Sequence, residues 1–143
     1  MGVESGWKSS GHRQYVPRRP PARGRALSRI LVVDDDPSIV AVVSEILVAE
    51  GHEVVSAENG AEALAKVNGE ALVLLDMRMP VLDGWGFARE FRASGKRAPI
   101  VVMTAAENAR RWAEEIGADG YLAKPFDIDA LIAAVERHTT RKH

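Results

Sequence analysis

Three consecutive acids, Asp34-Asp35-Asp36, directly follow the apolar run Ile30-Leu31-Val32-Val33. A second apolar run, Leu72-Val73-Leu74-Leu75, also ends on a carboxylate, Asp76. A third, Ile100-Val101-Val102-Met103, ends on Thr104, and a short fourth, Tyr121-Leu122-Ala123, ends on Lys124-Pro125. Carboxylates favour a hard cation, while a hydroxyl and an ammonium favour an anion. Continuous apolar runs of this length read as strands buried on both faces of a parallel sheet, whose carboxyl ends form the edge where ligands bind. Adjacent acids before a proline also serve as helix caps, and Asp34-Asp35 alone reads equally well that way. With Asp76, Thr104 and Lys124 at the other strand ends, the pattern points to a site rather than to caps.

The elements that must position these residues alternate. Behind the first strand, Asp36 suits a helix cap with Pro37 at the first helical position. Ile39, Val42, Val43, Ile46 and Leu47 then recur at helical spacing until Gly51. Residues 53–57 read as a second strand, and Asn59-Gly60 opens a helix that ends near Asn68-Gly69. A third strand covers 71–75, a third helix runs from Gly84 to about Ser94, and a fourth strand covers 99–103. Ala109, Trp112, Ala113 and Ile116 form an apolar stripe on a fourth helix stopped by Gly117. A fifth strand spans about 119–123, and Asp127 caps a last helix with Ile128, Leu131, Ile132 and Val135 inward. Five strands alternating with five helices predict a doubly wound α/β domain with right-handed crossovers.

Length and composition fit that reading. The 143 residues suffice for one domain with a full core, and the absence of cysteine excludes disulfides and thiolate chemistry. Net charge is −1 but unevenly spread: residues 1–29 carry seven Lys/Arg against Glu4 alone, and the acids outnumber the bases in the rest. Pro17, Pro20, Pro21 and four glycines make residues 1–28 a basic Pro/Arg/Gly-rich extension expected to be disordered, ahead of a domain over 29–140. No apolar run is long enough for a membrane span, and the extension lacks the apolar core of an export signal. A cytoplasmic location is expected.

Four segments together resemble the receiver domains of two-component response regulators: ILVVDDDP at 30–37, LLDMRMPVLDG at 74–84, VVMTA at 101–105 and GADGYLAKPF at 117–126. The resemblance covers residues 28–140 and implies a flavodoxin-like fold, five parallel strands in the order 2-1-3-4-5. It implies that Asp76 is the phosphoacceptor, forming an acyl phosphate on its carboxylate. It further implies Mg²⁺ bound by Asp35, Asp76 and the backbone carbonyl of Arg78, with Asp34 acting through a metal-bound water. Lys124, ahead of a cis peptide to Pro125, is expected to contact a phosphoryl oxygen, and Thr104 to donate its hydroxyl to another. Tyr121 corresponds to the switch aromatic that turns inward when Thr104 moves.

The implied partners are a histidine kinase or phosphotransfer protein as donor and a downstream protein or second copy as receiver of the signal. Output is expected through the fourth helix, fifth strand and fifth helix, with Arg110, Arg111, Glu114 and Glu115 as its polar contacts. The activity implied is limited to the chain's own phosphorylation and dephosphorylation. An aspartyl-phosphate phosphohydrolase is the enzymatic alternative, but that class wants a second acid two residues after the nucleophile, where Arg78 stands. A flavin-binding module is disfavoured because no Ser/Thr-rich phosphate loop follows the first strand. The basic arm could support weak, salt-sensitive nucleic-acid binding, although an unselected extension explains it as well. His12, His52, His138 and His143 have no metal-site spacing. Trp112 reads as core, Trp85 as a partly exposed neighbour of the site, and the Arg78 side chain as solvent-facing.

Overall fold

A computed structural model of the chain describes residues 28–139. The extension expected over 1–28 therefore lies outside the described residues except for Ser28, as do residues 140–143. Strands β1 (Arg29–Val33), β2 (Glu53–Ala57), β3 (Leu72–Asp76), β4 (Ile100–Ala105) and β5 (Gly120–Lys124) alternate with helices α1 (Pro37–Ala49), α2 (Gly60–Lys66), α3 (Gly84–Ala93), α4 (Ala106–Ile116) and α5 (Ile128–Thr139). All strand pairs are parallel, in the order β2-β1-β3-β4-β5. This is the flavodoxin-like arrangement that the four motifs imply.

Side chains alternate across each strand, so one apolar run supplies two cores. Ile30, Val32, Leu72, Leu74, Val101 and Met103 join Val43, Ile46 and Leu47 of α1 and Leu131, Ile132 and Val135 of α5. Leu31, Val33, Val73, Leu75, Ile100 and Val102 meet Ala63 of α2, Phe87 and Phe91 of α3 and Trp112 of α4. The central strands are thus sealed on both faces, and their carboxyl ends are held rigidly at one edge.

Four helices begin with a side-chain cap that the local sequence supplies. Asp36 accepts from Ser38 N at 2.9 Å, Asn59 from Glu62 N at 2.8 Å, Asp83 from Gly86 N at 2.9 Å and Asp127 from Ala130 N at 2.8 Å. Helix α4 differs. It starts at the residue after β4 ends, and Ala105 at its cap position offers no side-chain acceptor. Its far end is closed by Gly117, whose φ of 65° is the left-handed turn that favours glycine.

Three strands run further at their carboxyl ends than the apolar pattern predicts, β5 among them by Lys124. β3 includes Asp76, which pairs with Met103, and β4 includes Thr104 and Ala105, which pair with Ala123 and Lys124. Apolar runs mark burial, whereas the backbone ladder continues through polar residues. Glu70, ahead of β3, is buried: its Oε1 accepts from Asn68 N at 2.6 Å, and its Oε2 lies 3.1 Å from Arg29 Nε, out of line for a hydrogen bond.

Candidate functional site

Four of the five strands, β1, β3, β4 and β5, place polar residues at the same edge. Asp34 follows β1 directly, and its amide donates to the Ala57 carbonyl at 3.0 Å, so the chain is still paired there. Val33 pairs with Leu75, which brings Asp34 beside Asp76 at the end of the neighbouring strand. Asp34 is 1% exposed and Asp76 is 7% exposed, while Asp35 and Asp36 face solvent. One carboxylate oxygen from each of Asp34, Asp35 and Asp76 lies within 4.8 Å of the other two. Asp36 stands apart as the α1 cap, bonding Ser38 through both amide and hydroxyl, which holds its carboxyl below the usual carboxylate range.

Lys124 at the end of β5 completes the cluster. Its Nζ donates to Asp34 Oδ2 at 2.8 Å and stands 3.7 Å from Asp76 Oδ1. The other Asp34 oxygen accepts from Asp36 N at 3.0 Å, so both of its oxygens are engaged. The Lys124–Pro125 peptide is cis.

Burial, followed by the charge of Asp34, pushes the Asp76 carboxyl up to about 7; Lys124 opposes this and Asp35 adds to it. Burial works against the Lys124 ammonium, but the hydrogen bond and charge of Asp34, together with Asp76, raise its pKa on balance. One ammonium among three carboxylates leaves the edge short of positive charge. Oxygen donors with uncompensated charge fit a small hard cation that keeps several waters.

The loop from β3 to α3 frames Asp76. Gly84 N donates to the Met77 carbonyl at 2.9 Å, and a Cβ at Gly84 would stand 2.9 Å from the Asp76 carbonyl oxygen. Only glycine allows α3 to begin so close to the strand. Val81 has φ 70° and is 80% exposed, and Leu82 N donates across it to the Pro80 carbonyl at 2.7 Å. This is a strained γ-turn with a β-branched centre. Thr104 is buried at the end of β4, and Tyr121 is 48% exposed on β5.

Several side chains sit elsewhere than the sequence suggests. Arg78 is exposed, yet its guanidinium lies over the Trp112 ring, 5.5 Å from the centroid, rather than simply in solvent. Trp112 is buried, as expected, and Trp85 contacts it edge-on. Glu115 accepts from Trp85 Nε1 at 2.9 Å, so it faces α3. Residues four apart share a helix flank. Glu115 and Arg111 therefore line the α3 side of α4, and only Arg110 and Glu114, ion-paired at 3.4 Å, remain on the flank towards β5. The sequence carries no signal for this division, because the two charged pairs border the apolar stripe symmetrically.

Five parallel strands in this order, with acids and a lysine at their carboxyl ends, define a receiver-type signalling domain, and comparison with known proteins agrees. The response regulator receiver domain family matches residues 30–136, and the chain belongs to it. The transcriptional regulatory protein PcoR of Escherichia coli is 38% identical over 113 residues, 76% of this chain and 50% of the relative. PrrA of Mycobacterium tuberculosis, also a transcriptional regulatory protein, is 40% identical over 118 residues, 80% of this chain and 51% of the relative. The chain thus spans about half the length of the curated relatives it matches. Among solved structures, the receiver domain of NtrX from Brucella abortus superposes with a TM-score of 0.73 at 34% identity, covering 79% of this chain and 99% of that one. Chemotaxis protein CheY4 of Vibrio cholerae gives 0.72 at 34% identity, with the same coverage. No helix among the described residues is long and apolar enough to cross a membrane.

Proposed function

We propose that Asp76 is the phosphoacceptor of this receiver domain, accepting a phosphoryl group from a partner histidine kinase or phosphotransfer protein. The observation that carries this reading is the Asp76 carboxylate at the end of the central strand, with Lys124 Nζ 3.7 Å away and Asp34 and Asp35 beside it. A carboxylate oxygen of Asp76 attacks phosphorus, the bond to the donor's leaving group breaks, and an acyl phosphate remains. Mg²⁺, held by Asp35, Asp76 and the Arg78 carbonyl, with Asp34 reaching it through water, would neutralise the charge gathered by the carboxylates and the phosphoryl group. The engagement of both Asp34 oxygens supports the indirect role given to it. Lys124 exchanges Asp34 for a phosphoryl oxygen, and Thr104 donates its hydroxyl to another. Tyr121, exposed on β5, turns inward as Thr104 moves.

The activity is confined to the chain's own phosphorylation and dephosphorylation in the cytoplasm. Arg78 occupies the position where a phosphohydrolase would carry its second acid. Output to a downstream protein or a second copy leaves through α4, β5 and α5, with Tyr121, Arg110 and Glu114 on that face; the basic arm adds at most weak nucleic-acid affinity. Such switching is a population shift, driven only by the different contacts of phosphate with the two states. Incubation with acetyl phosphate and Mg²⁺, followed by intact-mass measurement, tests the assignment. Wild type should gain one phosphoryl group and Asp76→Asn none; equal labelling of the two overturns it.

A further inference from the structure

Trp112 is enclosed by groups from three elements. The guanidinium carbons of Arg78 and Arg111 stand 5.5 and 5.9 Å from its ring centroid. Trp85 meets it edge-on, with centroids 4.9 Å apart and planes at 67°, and Trp85 Nε1 donates to Glu115 Oε1 at 2.9 Å. Arg78 lies in the loop two residues beyond Asp76, Trp85 in the first turn of α3, and Arg111, Trp112 and Glu115 on α4. The cluster therefore fastens the middle of α4 to the loop that carries the phosphoacceptor's neighbours. The start of α4, by contrast, lacks a side-chain cap and follows β4 without an intervening residue.

The two guanidiniums repel each other while the ring attracts both. Such a balance responds to new charge nearby. Phosphorylation replaces the single charge of the Asp76 carboxylate with the roughly −2 of an acyl phosphate, so about one further negative charge and three acceptor oxygens arrive two residues from Arg78, and a guanidinium prefers a paired phosphoryl oxygen to a shared aromatic face.

We propose that Arg78 and Trp112 form a charge-sensitive latch: Arg78 rests on Trp112 while Asp76 is unmodified and leaves the ring for the phosphoryl group once Asp76 carries one. Its departure frees α4 from the loop between β3 and α3. The latch rests on the reading of Asp76 as phosphoacceptor, and it acts beside the Thr104 and Tyr121 route rather than through it. Arg78 and Trp112 are positioning residues here; neither performs the transfer.

The test uses the full chain labelled with 5-fluorotryptophan, whose three ¹⁹F resonances (Trp7, Trp85 and Trp112) are assigned by single Trp→Phe variants. Beryllofluoride with Mg²⁺ serves as the phosphoryl mimic, and its bound fluorines report occupancy in the same spectrum. In wild type the Trp112 resonance should move on binding. In Arg78→Met, compared with wild type after titration to equal bound-beryllofluoride signal, it should start near the wild-type bound position and move several-fold less. Arg78→Lys, which keeps the cation, should restore the movement; if it behaves as Arg78→Met, charge is not the operative property and the latch is overturned. An equal Trp112 shift in wild type and Arg78→Met, or an unmoved Trp112 with bound beryllofluoride present, also overturns the latch alone. A wild-type spectrum without bound beryllofluoride overturns the phosphoacceptor reading and the latch with it.

Discussion

Replacing Asp76 with Asn should stabilise the domain at pH 8 in the presence of a chelator. The carboxyl is raised from 3.8 to about 7, roughly three units at about 1.4 kcal/mol each, which sets a ceiling of about 4 kcal/mol. Solvent screening at the open edge, and the Lys124 attraction that Asn gives up, reduce the expected gain to about 1–3 kcal/mol. The sign follows from the direction of the shift. Above pH 7 both folded and unfolded wild type are ionised, and the folded state bears the full cost of burying the charge and of the repulsion from Asp34. Between pH 7 and 4 the folded state takes up a proton first, so wild type recovers stability, and below pH 4 the gap closes. Urea denaturation at pH 8 and pH 5 reads this as a difference in midpoint at unchanged m-value. Adding Mg²⁺ should narrow the pH 8 gap, because only the native wild-type site gains binding energy from the metal. An Asn variant no more stable than wild type at pH 8 would show that neither burial nor the neighbouring carboxylates burden the Asp76 charge, and would refute the charge deficit at this edge.

Three further outcomes are expected. Asp35→Ala removes a proposed direct metal ligand and should weaken Mg²⁺ binding by at least about tenfold, read by calorimetric titration; an unchanged affinity refutes the coordination. Val81→Asn replaces a β-branched residue at φ 70° with one that tolerates this conformation, and should raise stability by about 1 kcal/mol in thermal unfolding. Arg29→Met removes the cation beside the buried Glu70 carboxylate, leaving it only the Asn68 amide, and should lower stability by about 2–4 kcal/mol; a double variant with Glu70→Gln should lose less than the two single losses combined, and strict additivity would show that the pair is not coupled.

Much of the fold was legible because four of the five strands carry an apolar run and each helix carries a cap or a stop. Asp36-Pro37, Asn59-Gly60 and Gly117 mark boundaries that the backbone then adopts. The gathering of Asp34, Asp35, Asp76 and Lys124 was equally legible, since parallel strands put all their carboxyl ends at one edge. What escaped the sequence concerns side-chain direction. Nothing in the order of residues 106–116 says which charged flank of α4 meets α3, so Glu115 was expected on the output face. Arg78 was expected in solvent because its aromatic partner lies 34 positions away. The burial of Glu70 was not legible either, because its ion-pair partner Arg29 stands on another strand, across the sheet end.

The contact between Lys124 and Asp34 has a consequence for how the edge discriminates among ligands. With 2.8 Å between them, the ammonium is already occupied, and the carboxylate beside it is partly neutralised. A lone anion must compete with Asp34 for Lys124, and a lone cation must compete with Lys124 for the acids. When both arrive, each relieves the competition the other faces: the cation takes over the acids and releases the ammonium to the anion. On the proposed assignment, metal and phosphoryl group would bind with positive coupling, and linkage requires the help to be reciprocal. The internal ion pair would then make the edge respond more strongly to the two charges together than to phosphate or metal alone.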